Sequence, residues 1–228
     1  MTRTTLALAV SMAIGLAGAA HAGFYKTITI DSDFSDWADV PAVDDDSGDN
    51  TAGPDIGVTK IANDDNFLYI YNTFPNGLSL GTFTSIDSDS NTATGFDVFG
   101  LGLIGSEAGW QNDFPFTQDA ANFNNGFGMS GDFFGSGAAL LDAFANGAER
   151  ELAISLDILF NQDSSAVFPD GSVNLLFWTD LGLGADGLPG GDLAGDVSAP
   201  ISYTLAAIPE PASVLLFGLG SLALVRRR

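Results

Sequence analysis

Hydrophobic and polar positions alternate over many short stretches of the chain, and no long stretch has the 3.6-residue period of an amphipathic helix. The stretches are rich in β-branched and aromatic residues and are bounded by Gly, Asn, Asp or Pro, as is typical of strands joined by turns. The predicted strands cover residues 24–30, 56–62, 67–74, 80–86, 96–104, 151–156, 173–179 and 201–206. This pattern predicts an all-β fold, specifically an antiparallel β-sandwich.

The connections between these strands differ in length. Asn146-Gly147 is a tight-turn pair, and it predicts a hairpin between residues 139–145 and 149–156. A short helix through the Ala- and Leu-rich residues 138–145 is the alternative. Residues 105–137, rich in Gly, Asn and Phe, and residues 181–200 are predicted to be long loops, a length that usually indicates function or mobility.

The N-terminus has the three parts of a secretory signal peptide. Arg3 supplies a positive region, residues 6–20 supply an apolar region, and Ala20-His21-Ala22 is a small-residue cleavage site. We therefore expect residues 1–22 to be removed, so that the mature, exported protein begins at Gly23.

The C-terminus combines a chain breaker, an apolar run and a positive cluster, which are Pro209-Glu210-Pro211, residues 212–225 and Arg226-Arg227-Arg228. Fourteen apolar residues are short for a spanning helix, so a buried core element is the alternative. The arrangement resembles the PEP-CTERM sorting signal of Gram-negative bacteria. That resemblance implies that an exosortase-type membrane protease removes residues 209–228, that this hydrophobic sorting helix is the only membrane contact, and that the protein passes from transient inner-membrane anchoring to the cell surface or extracellular matrix.

The predicted domain between the two signals, residues 23–208, is strongly acidic. Its only cationic side chains are Lys26, Lys60 and Arg150, whereas 29 acidic residues occur in the whole chain and only Glu210 lies outside the domain. Nucleic acid binding requires neutralisation of phosphates, which this surface does not supply. Because the domain has no Cys and His21 is the only His, disulfides, zinc sites, and Cys- or His-dependent catalysis are excluded.

One acidic segment has the spacing of a calcium loop. Oxygen side chains alternate from residue 87 to residue 91, so a folded loop brings them together around one cation. The start is similar to an EF-hand loop, but Thr92 replaces the required Gly and Val98 replaces the bidentate Glu. The alternative is a solvated turn stabilised by its own side chains. The predicted calcium ligands are Asp87, Asp89, Asn91 and Asp97.

Several short motifs resemble the family 9 carbohydrate-binding modules and the related DOMON-like domains. They are residues 30–37, which end in Trp37, the Asn-Asp turn and Leu-Tyr pair of residues 62–70, the late strand 151–156, and Gly195-Asp196. The resemblance implies a β-sandwich in which Trp37 is a core residue, and it is compatible with calcium and with polysaccharide as a ligand.

The aromatic segment from residue 110 to residue 134 is the candidate ligand surface. Sugar rings stack on flat aromatic rings, and amides suit their hydroxyl groups, so Trp110, Gln111 and Asn112 are the predicted ligand-binding residues. The alternative is that these aromatic rings fill the core between the sheets.

Catalysis is not expected. Glu107, Glu149 and Glu151 are the only glutamates of residues 23–208, and nothing in the pattern places one of them opposite a second carboxylate. The sequence therefore predicts a non-catalytic module, stabilised by calcium, that binds polysaccharide. A structural protein of the surface or biofilm matrix without a small ligand is the alternative, and a carboxylate-dependent glycoside hydrolase is the least favoured hypothesis.

Overall fold

The computed structural model describes residues 20–48, 50, 53–169, 171–179 and 195–207. The predicted signal region before Ala20 and the sorting tail after residue 207 lie outside these residues. In the described part, the strands are β1 (Ala20–Ala22), β2 (Ala42–Asp45), β3 (Val58–Asn63), β4 (Phe67–Thr73), β5 (Thr82–Asp87), β6 (Ala108–Gln111), β7 (Phe114–Thr117), β8 (Met129–Ser130), β9 (Leu140–Asp142), β10 (Glu149–Ser155), β11 (Leu159–Phe160), β12 (Ser172–Thr179) and β13 (Ile201–Thr204).

These strands form two main sheets and one small one. The six-stranded sheet has the order β1-β13-β12-β5-β6-β7, and the five-stranded sheet has the order β2-β3-β4-β10-β9. Strands β8 and β11 pair by themselves. Neighbouring strands are antiparallel except for β1 and β13, which are parallel. The predicted all-β antiparallel sandwich is therefore confirmed.

The main core lies between the two large sheets. The five-stranded sheet contributes Ile61, Ile70 and Ile154, and the facing sheet contributes Trp110 and Phe177. All five side chains are at most 1% exposed. This layer is the apolar face that the alternating pattern predicts, and its burial provides the main favourable term for folding.

Each large sheet is also covered on its outer face by a non-strand segment. Residues 24–40 pack Trp37 and Val40 against Tyr69 and Tyr71 of β4. On the other sheet, residues 96–104 pack against Phe83 and Trp178, whose rings stack 3.9 Å apart. The central strands β4, β5 and β10 are consequently buried on both faces.

These covering segments correct two predictions. Residues 24–30 were predicted to be a strand, but they form only an isolated bridge between Tyr25 and Asn63. Residues 96–104 were also predicted to be a strand, but they contain a 3₁₀ helix at Val98–Gly100. Both segments are apolar because they cover a sheet, not because they belong to one.

The prediction of a long loop over residues 105–137 is also wrong, because this region contains β6, β7 and β8. The hairpin around Asn146-Gly147 is confirmed, since β9 and β10 pair antiparallel and no helix forms there. Most of the predicted loop 181–200 falls outside the described residues.

A buried carboxylate attaches the first covering segment to the sheet. Glu151 of β10 is completely buried, and its Oε2 accepts a hydrogen bond from Trp37 Nε1 at 3.0 Å. Its Oε1 accepts bonds from the backbone N–H groups of Asp31 and Ser32 at 2.8 and 2.9 Å. Trp37 also stacks on Tyr71, with ring centroids 5.4 Å apart. Trp37 is therefore a core residue, as its motif implies, and Glu151 is its structural partner.

The role of Glu151 can be tested by replacing its carboxylate with an amide. In Glu151→Gln, one side-chain oxygen becomes an N–H₂ group that faces a donor, either Trp37 Nε1 or the two backbone N–H groups. We expect a loss of about 1 to 3 kcal/mol in the free energy of unfolding, measured by urea denaturation. Glu149→Gln is the matched control, because the exposed Glu149 lies on the same strand and an amide oxygen still accepts the Tyr71 hydroxyl bond. Equal stability of the two variants would contradict this role.

Candidate functional site

The candidate site lies where β5 ends and β6 begins. Asp87 is the last residue of β5, and Glu107 directly precedes β6, whose Ala108 pairs with Ile86. Because antiparallel neighbours place the end of one strand beside the start of the next, residues 20 positions apart meet at one sheet edge. Ser88 N donates to Glu107 Oε2 at 2.9 Å, and Glu107 N donates to Ile86 O at 3.0 Å.

The turn after β5 folds back onto this edge. Asn91 N donates to Asp87 Oδ1 at 3.2 Å and to Asp89 Oδ1 at 3.0 Å, and Thr94 Oγ1 donates to Asp89 Oδ2 at 2.9 Å. Gly95 has a φ of +62°, and a Cβ at this position would lie 2.6 Å from Glu107 Oε1. A side chain at residue 95 is therefore incompatible with this close approach of the turn to Glu107.

Three carboxylates converge at this point. Asp87, Asp89 and Glu107 each place an oxygen atom within 4.8 Å of the other two. Asp87 is only 1% exposed, and its Oδ2 has no hydrogen-bond partner; Glu107 Oε1 and the hydroxyl of Ser88 are likewise buried and without a partner. Buried polar atoms are normally hydrogen-bonded, so three unpartnered atoms in one place indicate a site that is completed by something outside the chain.

The electrostatics of the cluster are unfavourable for ionised carboxylates. The pKa of Glu107 is raised to about 7, mainly by burial and also by the nearby charges of Asp89 and Asp87, while hydrogen bonds from Ser88 N and Thr94 lower it in part. Burial also raises the pKa of Asp87. Among the described residues, the cations lie elsewhere: Lys26 pairs with Asp39, and Arg150 donates to Ser79 O and Asn112 Oδ1.

An open cleft of about 280 Å³ adjoins the three carboxylates. Its walls come from the ends of β5 and β7 and from the segments that follow β7 and β11. The cleft combines acidic, amide and hydroxyl groups with apolar surfaces, and its lining residues are Ser88, Asp89, Glu107, Thr117, Gln118, Asn125, Phe127, Phe160, Gln162, Asp163, Ser165, Ala166 and Pro169.

Gln118 is the most constrained amide of the cleft. It is 3% exposed, and its Oε1 accepts a 2.6 Å hydrogen bond from Ser106 Oγ. In this orientation of the amide, the buried Nε2 has no hydrogen-bond partner. Gln118 is therefore a polar side chain of the cleft wall that Ser106 holds in place.

The predicted calcium ligands divide into two groups. Asp87 and Asp89 come together, whereas Asn91 Oδ1 accepts a bond from Ala93 N at 3.2 Å within the turn. Asp97 Oδ1 accepts a bond from Gly102 N at 2.7 Å, and Asp97 is not part of the three-carboxylate cluster. Glu107 is the cluster member that the sequence pattern missed, because only the pairing of β5 with β6 places it beside Asp87.

The predicted ligand-binding residues do not line this cleft. Trp110 is completely buried, and its Nε1 donates to Gly137 O at 2.8 Å, so its ring is a core element and is not accessible for stacking. This corrects the prediction for Trp110, in favour of the core-filling alternative. Gln111 is exposed at the end of β6. Asn112 uses its Oδ1 to accept from Arg150 Nη1 at 2.9 Å and from Gly81 N at 3.3 Å.

Comparison with known proteins identifies the C-terminal segment. Residues 207–228 match the PEP-CTERM protein-sorting motif. No curated protein matches the sequence at a significant level. The chain is therefore an all-β protein that carries a PEP-CTERM sorting tail, which marks it as secreted with transit through a membrane and processing by an exosortase. Among the described residues no helix is long and apolar enough to cross a bilayer, and the predicted sorting segment 212–225 lies outside them.

The solved structures similar to the chain include two of a carbohydrate binding module family 9 (CBM9) from Caldicellulosiruptor kristjanssonii. The complex with glucose has a TM-score of 0.45 and 12% sequence identity, covering 85% of this chain and 100% of that chain. The complex with cellotriose has a TM-score of 0.43 and 12% identity, covering 83% and 98% of the two chains.

The raised pKa of Glu107 makes stability depend on pH when divalent cations are removed. The folded state holds the proton to about pH 7, whereas the unfolded chain releases it near the ordinary value of 4.5. The stabilising contribution of this group is therefore complete below 4.5 and is lost as the pH rises through about 7. We expect the wild-type protein in chelator to lose stability across this window relative to Glu107→Gln, in urea titrations at several pH values. Parallel pH profiles of the two proteins would contradict the shift.

Proposed function

We propose that the mature protein is an exported, non-catalytic binding module of the cell envelope or extracellular matrix, and that its cleft binds a neutral polyhydroxylated ligand such as part of a polysaccharide. The observation that carries this proposal is the open cleft, which combines carboxylate, amide and hydroxyl side chains with the exposed ring of Phe127. The hydroxyl groups of such a ligand both donate and accept hydrogen bonds, so they match the polar groups of this lining.

The charge of the cleft limits the class of ligand. Asp89, Glu107 and Asp163 line it, and none of its described lining residues is Lys or Arg. An anionic ligand such as a phosphate or a uronate-rich polymer would therefore be repelled. A neutral sugar avoids this repulsion and still forms hydrogen bonds with the carboxylates and amides.

The shape and the apolar walls of the cleft also favour a small ring-shaped ligand. Its volume of about 280 Å³ is close to the lower end of small-molecule sites. Phe127 is 52% exposed and lines the cleft together with Phe160 and Pro169. The exposed ring of Phe127 thus offers the stacking surface that the buried Trp110 does not.

The arrangement of the acidic groups supports binding without catalysis. Retaining glycosidases place their two carboxyl groups roughly 5 to 5.5 Å apart across the scissile bond, and inverting enzymes place them farther apart. The oxygens of Asp87, Asp89 and Glu107 approach within 4.8 Å on one side of the cleft, which leaves no room for a sugar between them. Glu151, one of the three glutamates that a hydrolase could use, is completely buried and accepts a hydrogen bond from Trp37 Nε1, so it does not face a substrate.

A second candidate function is a structural matrix protein that has no small ligand. The observation in its favour is a set of exposed aromatic rings outside the cleft, since Phe114 is 66% exposed, Phe133 81% and Phe144 64%. Exposed rings of this kind suit contacts with other matrix molecules.

Saccharide binding distinguishes these functions. The exported protein should bind at least one neutral polysaccharide from a panel that includes cellulose, xylan, mannan and glucan, in a retention assay followed by calorimetry with the matching oligosaccharide. Phe127→Ala should weaken that binding about tenfold by removing the stacking surface, whereas Phe133→Ala, which alters an exposed ring outside the cleft, should leave it unchanged. Retention by no member of the panel would favour the matrix function, and hydrolysis that Glu107→Gln abolishes would favour the hydrolase.

The sorting tail can be tested independently of any ligand. In a host with an exosortase, we expect the double variant Pro209→Ala/Pro211→Ala to remain membrane-associated and uncleaved, because the apolar run is intact but the motif is not. A chain ending at Ala206 should fold and leave the membrane fraction. Fractionation and immunoblotting against the wild-type protein measure both results, and normal processing of the double variant would contradict the role of the motif.

A further inference from the structure

In the cluster of Asp87, Asp89 and Glu107, two buried carboxylate oxygens lack a donor, in contrast to the buried carboxylates of Glu151 and Asp64. Glu151 accepts three hydrogen bonds, and Asp64 accepts four, from Asn66 N, Phe67 N, Thr27 Oγ1 and Tyr69 Oη. Within the cluster, Asp87 Oδ2 and Glu107 Oε1 have no donor at all. An ionised carboxylate that is buried without a donor is strongly unfavourable, so these groups either remain protonated or take a positive partner at this place.

We propose that Asp87, Asp89 and Glu107 together bind one divalent cation of the calcium type, through the two unpartnered oxygens and one oxygen of Asp89. This site does not depend on the proposed ligand of the cleft. It differs from the loop site expected from sequence, because Glu107 of the neighbouring strand takes the place of Asn91 and Asp97.

The donor chemistry selects a hard cation. All three ligands are carboxylates, and residues 23–208 contain neither His nor Cys, which borderline and soft metals prefer. Calcium accepts six to eight oxygen ligands in a flexible geometry, whereas magnesium demands a near-ideal octahedron and retains most of its water. The buried hydroxyl of Ser88 is a further oxygen beside the cluster, and the open cleft allows water to fill the remaining positions.

Such a cation would join three parts of the fold. Asp87 ends β5, Asp89 belongs to the exposed turn, and Glu107 precedes β6. Asp89 and Glu107 also line the cleft, so the cation would hold one wall of the cleft in place. Removing the cation should therefore loosen the turn and the cleft wall before it affects the main core.

Calcium titration into the exported wild-type protein tests this inference without any saccharide. After treatment with chelator, calorimetry should show one calcium ion per chain with a dissociation constant on the order of 10⁻⁴ M, the range of extracellular modules. The melting temperature should rise with calcium concentration and return to its starting value on renewed chelation.

Three variants separate metal binding from a purely structural role. Asp87→Asn and Glu107→Gln should each lose the calcium-dependent rise, while in chelator Glu107→Gln should melt no lower than the wild-type protein, which shows that it folds. Asp163→Asn is the matched control, because Asp163 lines the same cleft outside the cluster, and it should keep the full response. A wild-type protein that neither binds calcium nor changes its melting temperature would overturn the inference, as would an undiminished response in both cluster variants. Saccharide binding is measured in a separate experiment. A failure of the calcium proposal is therefore distinguishable from a failure of the proposed saccharide binding.

Discussion

The need to satisfy buried negative charge almost without cations organises this protein. The few cations are used elsewhere: Lys60 donates to Trp37 O, and Arg150, whose pKa burial lowers to about 10, donates to neutral oxygens and lies over the ring of Phe74. Glu151 and Asp64 are instead satisfied by N–H and O–H groups. All the donors to Glu151 and one donor to Asp64, Thr27 Oγ1, come from another part of the chain, so that each buried acid links two segments.

Contacts of this kind help to attach the non-strand segments that cover the outer faces of the two large sheets. Glu151 fixes the segment before Trp37 to β10, and the aromatic stack of Phe83 and Trp178 receives residues 96–104 on the opposite sheet. At the sheet edge of Asp87 the acids are satisfied only in part, because Asp87 Oδ2 and Glu107 Oε1 have no partner. Hydrogen bonds to buried carboxylates thus stabilise the covered faces of the sandwich. At the edge of Asp87, the carboxylate oxygens without a donor are where we expect an ion to bind.

The alternating pattern was sufficient for the sandwich and the Asn146-Gly147 pair for the hairpin, whereas the core position of Trp37 was implied by the resemblance to family 9 carbohydrate-binding modules. It failed for residues 24–30 and 96–104, because an apolar cover and an apolar strand bury similar side chains and differ only in where their backbone groups bond. It also missed Glu107, since the partner of Asp87 is set by strand pairing and not by local spacing. Gly95, whose close contact with Glu107 excludes a side chain, was the local signal that could have indicated this neighbour.

The two ends of the described chain meet at one edge of the molecule. A Cβ at Gly23 would lie 2.3 Å from Ala206 N, and Phe24 N donates to Tyr203 Oη. The side chain of Asn63 bonds to both backbone groups of Ala206, since Ala206 N donates to Asn63 Oδ1 and Asn63 Nδ2 donates to Ala206 O. The sorting motif begins at the next residue. The points at which the predicted export signal and the sorting tail join the described fold therefore lie side by side. A membrane that holds both would meet the sandwich along a single edge, and two proteases acting on one precursor would have to share the same approach.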